Sequence, residues 1–195
     1  MYEYYKQARN SAWQTLIDCR VSSFPVDVTA VAHHYGIRIA EYSRCALLQL
    51  FNPATVSGDG FVTQIDDVTV IFLNDGKHNH ARRRFTVGHE LGHALLHHPI
   101  DVIHTRNAEI DSTTDALEMQ ANVFSRDLLM PSGVLAAMGI TAPDEIMQVC
   151  DISRTSAEIR AERLALLRQR NMFGSHPLER QVLCQFGQYI QEHKK

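Results

Sequence analysis

Arg84-Phe85-Thr86-Val87-Gly88-His89-Glu90-Leu91-Gly92-His93 decides how the rest of the chain is read. It contains His-Glu-x-x-His within a segment of helical spacing. Residues i and i+4 lie one above the other on a single helix face. His89 and His93 can therefore turn imidazole nitrogens toward one metal ion. Glu90 is rotated to the flank, where its carboxylate reaches a water bound to that metal and acts as general base. One rigid element thus supplies two ligands and a base, and a third ligand must come from elsewhere.

Candidates for that third ligand are His97, Glu118 and the acids Glu109, Asp111 and Asp115. His97 continues the i+4 series, but at 1.5 Å per residue it lies about 12 Å along the axis from His89. A continuous helix cannot bring both to one ion whose bonds are ~2 Å long. His97 and its neighbour His98 are expected to be exposed or to support a ligand. Glu118 stands on the next long helical pattern, with Asn122 one turn later on the same face. In that arrangement Glu118 completes the metal site and Asn122 bonds the far nitrogen of a ligating histidine. The bland alternative for Glu118 is a solvated helix position.

Upstream, residues 4–20 have helical spacing, with Tyr5, Ala8, Ala12, Trp13, Leu16 and Ile17 inward. Asp27 reads as the N-cap of a second helix that stops at Gly36. Ile37 to Tyr42 alternates as a short strand, and Ala46 to Phe51 fits one or two helical turns before Asn52-Pro53. Phe61–Ile65 and Val68–Leu73, linked by Asp66-Asp67, form a hairpin. A helix is expected over 79–97, ended by Pro99, and a loop over 99–112. Helical spacing returns from Thr114 to Leu129, then in short pieces at 132–138, 143–150, 155–168 and 178–193, with Thr155 and Glu158 as a capping box. The fold class is α+β: a mainly helical, zincin-like domain, with a small antiparallel sheet over about 37–73 beside the His-Glu-x-x-His helix and a helical C-terminal part. Residues 1–195 read as a single domain, its core over about 24–170 and an extension over about 171–195.

The 195 residues are 45% apolar and 21% charged, which is ordinary globular composition. A net charge of −3 gives no global attraction for nucleic acid or an acidic membrane. Cys19, Cys45, Cys150 and Cys184 show no Cys-x-x-Cys pairing and read as reduced thiols. The N-terminus lacks a signal-peptide pattern, and no apolar run is long enough to span a bilayer. A cytoplasmic location is expected. Arg82-Arg83-Arg84 reads as a solvated cationic helix end. Residues 152–168, with Arg160, Arg163 and Arg168, faintly resemble a helix-turn-helix. Glu145, Asp151, Glu158 and Glu162 interrupt any basic face, so no direct nucleic-acid contact is expected.

Taken together, Arg83 to His97 and Glu118-Met119-Gln120-Ala121-Asn122-Val123-Phe124 through Leu128-Leu129-Met130-Pro131 resemble the ImmA/IrrE family of metallopeptidases. The preceding hairpin and the helix from Pro25-Val26-Asp27 to Gly36-Ile37 fit the same pattern. The resemblance covers about 24–170; Ser125-Arg126 and the loop at 99–112 depart from it. It implies a gluzincin-like site, with His89, His93 and Glu118 on one Zn2+ ion and Glu90 as base. It also implies a protein substrate, a helix-turn-helix repressor-type transcription regulator, cleaved as a stress or mobile-element switch. The alternative is a non-catalytic metal-binding protein that controls such a regulator by binding it. His104, Arg106, Tyr42 and Tyr35 are open candidates for stabilising the oxyanion.

Overall fold

A computed structural model describes residues 2–44, 59–76, 79–99 and 112–194. The expected turns at 46–51, the loop over 100–111, and Cys45, His104, Arg106, Glu109 and Asp111 lie outside the described residues.

Helix α1 (Tyr2–Asp18) buries Ala8, Ala12, Trp13, Thr15 and Leu16 along one stripe. Helix α2 (Val28–His34) begins where Asp27 accepts hydrogen bonds from the amides of Thr29 (2.9 Å) and Ala30 (3.0 Å). These satisfy two of the four amides that a helix start leaves free. The helix stops at Gly36, whose φ of +68° suits a residue without Cβ.

Strand β1 (Arg38–Glu41) is followed by a 3-10 turn at Tyr42–Arg44. Strands β2 (Gly60–Ile65) and β3 (Val68–Leu73) form the expected hairpin, with Ile65 opposite Val68 and Gly60 opposite Leu73. Asp66 and Asp67 both have positive φ (47° and 64°), the backbone that a two-residue turn between twisted strands requires. The sheet order is β1-β3-β2, and β1 pairs with β3 in parallel. The sheet is therefore mixed, not wholly antiparallel as expected. Alternation in one strand sets its faces but not its partner or direction, and the 42–67 connection is long enough in sequence for a parallel pair. As the central strand, β3 is covered on both faces, and Val70 through Leu73 are all buried.

Helix α3 (His80–Leu95) carries the His-Glu-x-x-His stretch. Asn79 caps it through the Arg82 amide at 3.0 Å. Its end folds back: the His97 amide bonds the Ala94 carbonyl and the His98 amide bonds the His93 carbonyl, with His97 at φ 55°. This is a Schellman-type close in which a histidine takes the left-handed position usual for glycine.

Helix α4 (Ser112–Leu129) packs on both α3 and α1. Its contact with α3 is close because small residues meet there. A Cβ built on Gly92 would lie 3.0 Å from the Ala121 Cα, and one on Gly88 would lie 2.6 Å from the Ser125 Oγ. Ser125 is fully buried, and its hydroxyl donates to the Phe85 carbonyl at 2.9 Å, which ties the two helices together.

The C-terminal half adds α5 (Ser132–Ala137), α6 (Pro143–Cys150), α7 (Arg154–Gln169), α8 (Pro177–Gln185) and α9 (Gly187–His193). The helical span expected over 178–193 is divided at Phe186, which is fully buried. Helix α7 is capped by Ser153, which accepts from the Ser156 amide at 3.2 Å, and not by Thr155. Helix α8 rests on α1, where the Gln185 amide donates to the Leu16 carbonyl at 2.8 Å. The architecture is α+β, mainly helical with a small sheet. Among the described residues, no helix is long and apolar enough to cross a membrane.

One arginine expectation fails, that of a solvated Arg84. Arg84 is buried at 9% exposure and donates to the carbonyls of Val26 (2.9 Å), Asp151 (3.1 Å) and Cys150 (3.4 Å). It joins α3 to the start of α2 and the end of α6. Only Arg82 and Arg83 face outward, and each has an acid: Asp59 at 2.7 Å and Glu41 at 2.6 Å. Arg160 is fully buried, held by Asp127 at 3.1 Å, the Arg126 carbonyl and the Ser132 hydroxyl. A side chain spent inside the core cannot serve a basic reading face.

Candidate metal centre and active site

Helix α3 presents His89 and His93 one turn apart, and α4 brings Glu118 across to them. The His89 Nε2 and His93 Nε2 atoms are 3.1 Å apart. Glu118 reaches His89 Nε2 at 3.3 Å and His93 Nε2 at 3.4 Å, one carboxylate oxygen to each. These three residues form a group whose ligand atoms all lie within 4.8 Å of one another.

The donor set fits one divalent ion. Tetrahedral bonds of ~2.0–2.1 Å to nitrogen and oxygen place neighbouring ligand atoms about 3.3–3.4 Å apart, close to the separations found. Two imidazole nitrogens and a carboxylate converging at these distances suit positive charge among them, as protons or as a metal ion. Burial by itself would lower the His89 pKa, but the hydrogen bond to Glu118 and the charges of Glu90 and Glu118 outweigh it, and the net displacement is upward. The same two histidines hold the Glu118 carboxyl well below the usual carboxylate range. Among the described residues the cluster is most exposed at Glu118: the His89 and His93 side chains are 13% and 15% exposed, whereas that of Glu118 is 43% exposed.

Each of the two histidines has a partner on its far nitrogen. The Asn122 Oδ1 lies 3.1 Å from His89 Nδ1, the pairing that the i, i+4 relation to Glu118 suggests. Behind His93 lies His98, with Nδ1 to Nδ1 at 3.0 Å and the rings edge-on at 77°. His98 is 6% exposed, and burial first, then the charge of His93, pushes its pKa down to about 4. Its spacing from His93 carries no helical signal. The reversal at His97 brings it back, so of the two expectations for His98, exposed or supporting a ligand candidate, the second holds.

Glu90 is buried at 6% exposure beside His89, close enough for its charge to act on that ring. His97 is held in the left-handed turn of the helix end. Asp115, in the first turn of α4, is exposed. Of the oxyanion candidates, Tyr35 donates its hydroxyl to Asp18 at 3.2 Å, and Tyr42 packs its ring on Phe61.

No curated protein sequence matches the chain. A family model described as the IrrE N-terminal-like domain, a peptidase family, matches residues 30–162. That span holds most of α2, the sheet, both site helices and the first half of α7, and it is more than half of the chain. A metallopeptidase-type function follows from the family, and a group able to bind a metal ion stands where that function needs one. The chain belongs to the IrrE N-terminal-like peptidase family.

Proposed function

We propose that this chain is a zinc-dependent endopeptidase of the cytoplasm whose substrate is a helix-turn-helix repressor-type transcription regulator. The observation that carries the peptidase reading is the triangle of His89, His93 and Glu118 with Glu90 buried at its flank. A zinc ion held by those three residues would lower the pKa of a bound water and polarise the scissile carbonyl. Glu90, at the flank of that group, would serve as the base that takes a proton from the attacking water and returns it to the leaving amine. Asn122 holds His89 with its Nε2 toward the cluster. The exposure at Glu118 would admit a substrate carbonyl. Support for the choice of substrate comes from the resemblance of the two motifs to repressor-directed peptidases.

The test is to incubate the purified chain with candidate repressors, with and without a chelator. Glu90→Gln is expected to abolish cleavage while metal content stays at the wild-type level, because the base is removed and every ligand is kept. Cleavage that survives Glu90→Gln refutes the proposed mechanism. Regulation in the cell that survives it supports the non-catalytic alternative, binding without hydrolysis.

A further inference from the structure

The His93–His98 contact carries an inference about how the centre is held in register. Two imidazole nitrogens 3.0 Å apart share one hydrogen bond: one nitrogen donates and the other accepts, since two lone pairs or two N–H groups would repel at that distance. The proposed metal reading settles the direction. His93 Nε2 converges with His89 and Glu118 and must offer its lone pair there. A neutral ring with a lone pair on Nε2 carries its proton on Nδ1, so His93 donates to His98.

We infer that His98 is a positioning residue, whose Nδ1 accepts the His93 Nδ1–H and thereby fixes the tautomer and ring angle of that ligand. This rests on the metal centre proposed above. The environment of His98 supports it. The ring is buried, and although Gln120 borders it, its Nε2 makes no hydrogen bond among the described residues. The contact with His93 is the hydrogen bond that the described geometry gives to the His98 ring, and it is made at Nδ1. The backbone places it there too, because the His98 amide bonds the His93 carbonyl at 3.0 Å. Both histidines are thus locked to each other at the main chain and at the ring. Without an acceptor behind it, the His93 N–H would be left unpaired and part-buried, and the ring would be free to turn its Nε2 from the cluster.

Two variants separate hydrogen bonding from packing. His98→Phe keeps a planar ring and removes the acceptor. His98→Asn gives up ring volume but keeps an oxygen where Nδ1 stood. Zn2+ affinity is measured by chelator competition for both, for wild type and for Glu118→Ala. The expected result is a loss of about 10- to 100-fold for His98→Phe and less than about threefold for His98→Asn. Equal affinity for His98→Phe and wild type overturns the inference, and so does an equal loss in both variants, which would mean packing alone. Failure of wild type to bind Zn2+, or binding undiminished in Glu118→Ala, removes the metal centre itself and the inference with it. Long-range 1H–15N correlation on zinc-loaded wild type gives a readout that needs no variant. The His93 proton is expected on Nδ1; a proton on Nε2 overturns the inference.

Discussion

Gly92→Ala tests whether the site is set by the closeness of two helices. An added Cβ would lie 3.0 Å from the Ala121 Cα and 3.2 Å from both the Ala121 carbonyl oxygen and the Phe124 Cβ. Carbon atoms pack best at about 3.5–4.0 Å, so α3 and α4 must part by a few tenths of an ångström. Two of the three obstacles are backbone atoms and cannot swing aside. Overpacking of this kind costs about 1–3 kcal/mol. Alanine returns about 0.8–1 kcal/mol as the better helix former, so the net loss of stability is at most about 2 kcal/mol. The metal site is less forgiving. Gly92 adjoins His93, and Ala121 lies between Glu118 and Asn122. A separation of a few tenths of an ångström already exceeds the ~0.2 Å within which ligand distances must fall. Zn2+ affinity is expected to drop by at least about tenfold, the size of effect seen when groups supporting a ligand are disturbed. Chelator competition measures the affinity and urea unfolding the stability. Gly187→Ala, where a Cβ meets nothing within 4 Å, is the control and should leave affinity unchanged. Wild-type zinc affinity in folded Gly92→Ala would refute the claim that close packing sets Glu118 in place.

Two further outcomes follow from buried groups. Asp127→Ala leaves the fully buried Arg160 guanidinium without its carboxylate and is expected to cost about 3–5 kcal/mol in urea unfolding; a cost under 1 kcal/mol would show that the carbonyl and hydroxyl contacts suffice. Burial, with the charge of His93, puts His98 at about 4 in the folded protein, against ~6.5 in the unfolded chain. Between those values the unfolded chain binds the extra proton. The stability due to neutral His98 is therefore present above pH ~6.5 and lost as pH falls toward 4. The raised pKa of His89 acts in the opposite sense, so the quantity to measure is the difference between wild type and His98→Asn, both metal-free. From pH 7 to 5, wild type is expected to lose about 2 kcal/mol relative to the variant. Parallel pH profiles would contradict the assignment.

The His89-Glu90-His93 face and the pairing of Glu118 with Asn122 on one helix face were legible from local order alone. Spacings of four residues on a helix fix which side chains share a face, whatever the fold around them. The same holds for Asp27 as a cap and for the Asp66-Asp67 hairpin, where the determining contacts lie within a few residues. What the sequence could not supply were relations between distant segments. The parallel partner of β1, the burial of Arg84 against carbonyls of α2 and α6, and that of Arg160 against Asp127 each depend on elements placed far apart in the chain. A charged side chain reads as solvated until the fold provides enough partners to offset its desolvation. His98 fell between these cases: near His93 in sequence, it is brought behind that ring only by the left-handed turn at His97. The sequence by itself determined the chemistry on offer, because chemistry follows residue type and local period. Tertiary structure alone decided that α3 and α4 approach closely enough, at Gly88, Gly92, Ala121 and Ser125, for three ligand atoms to meet.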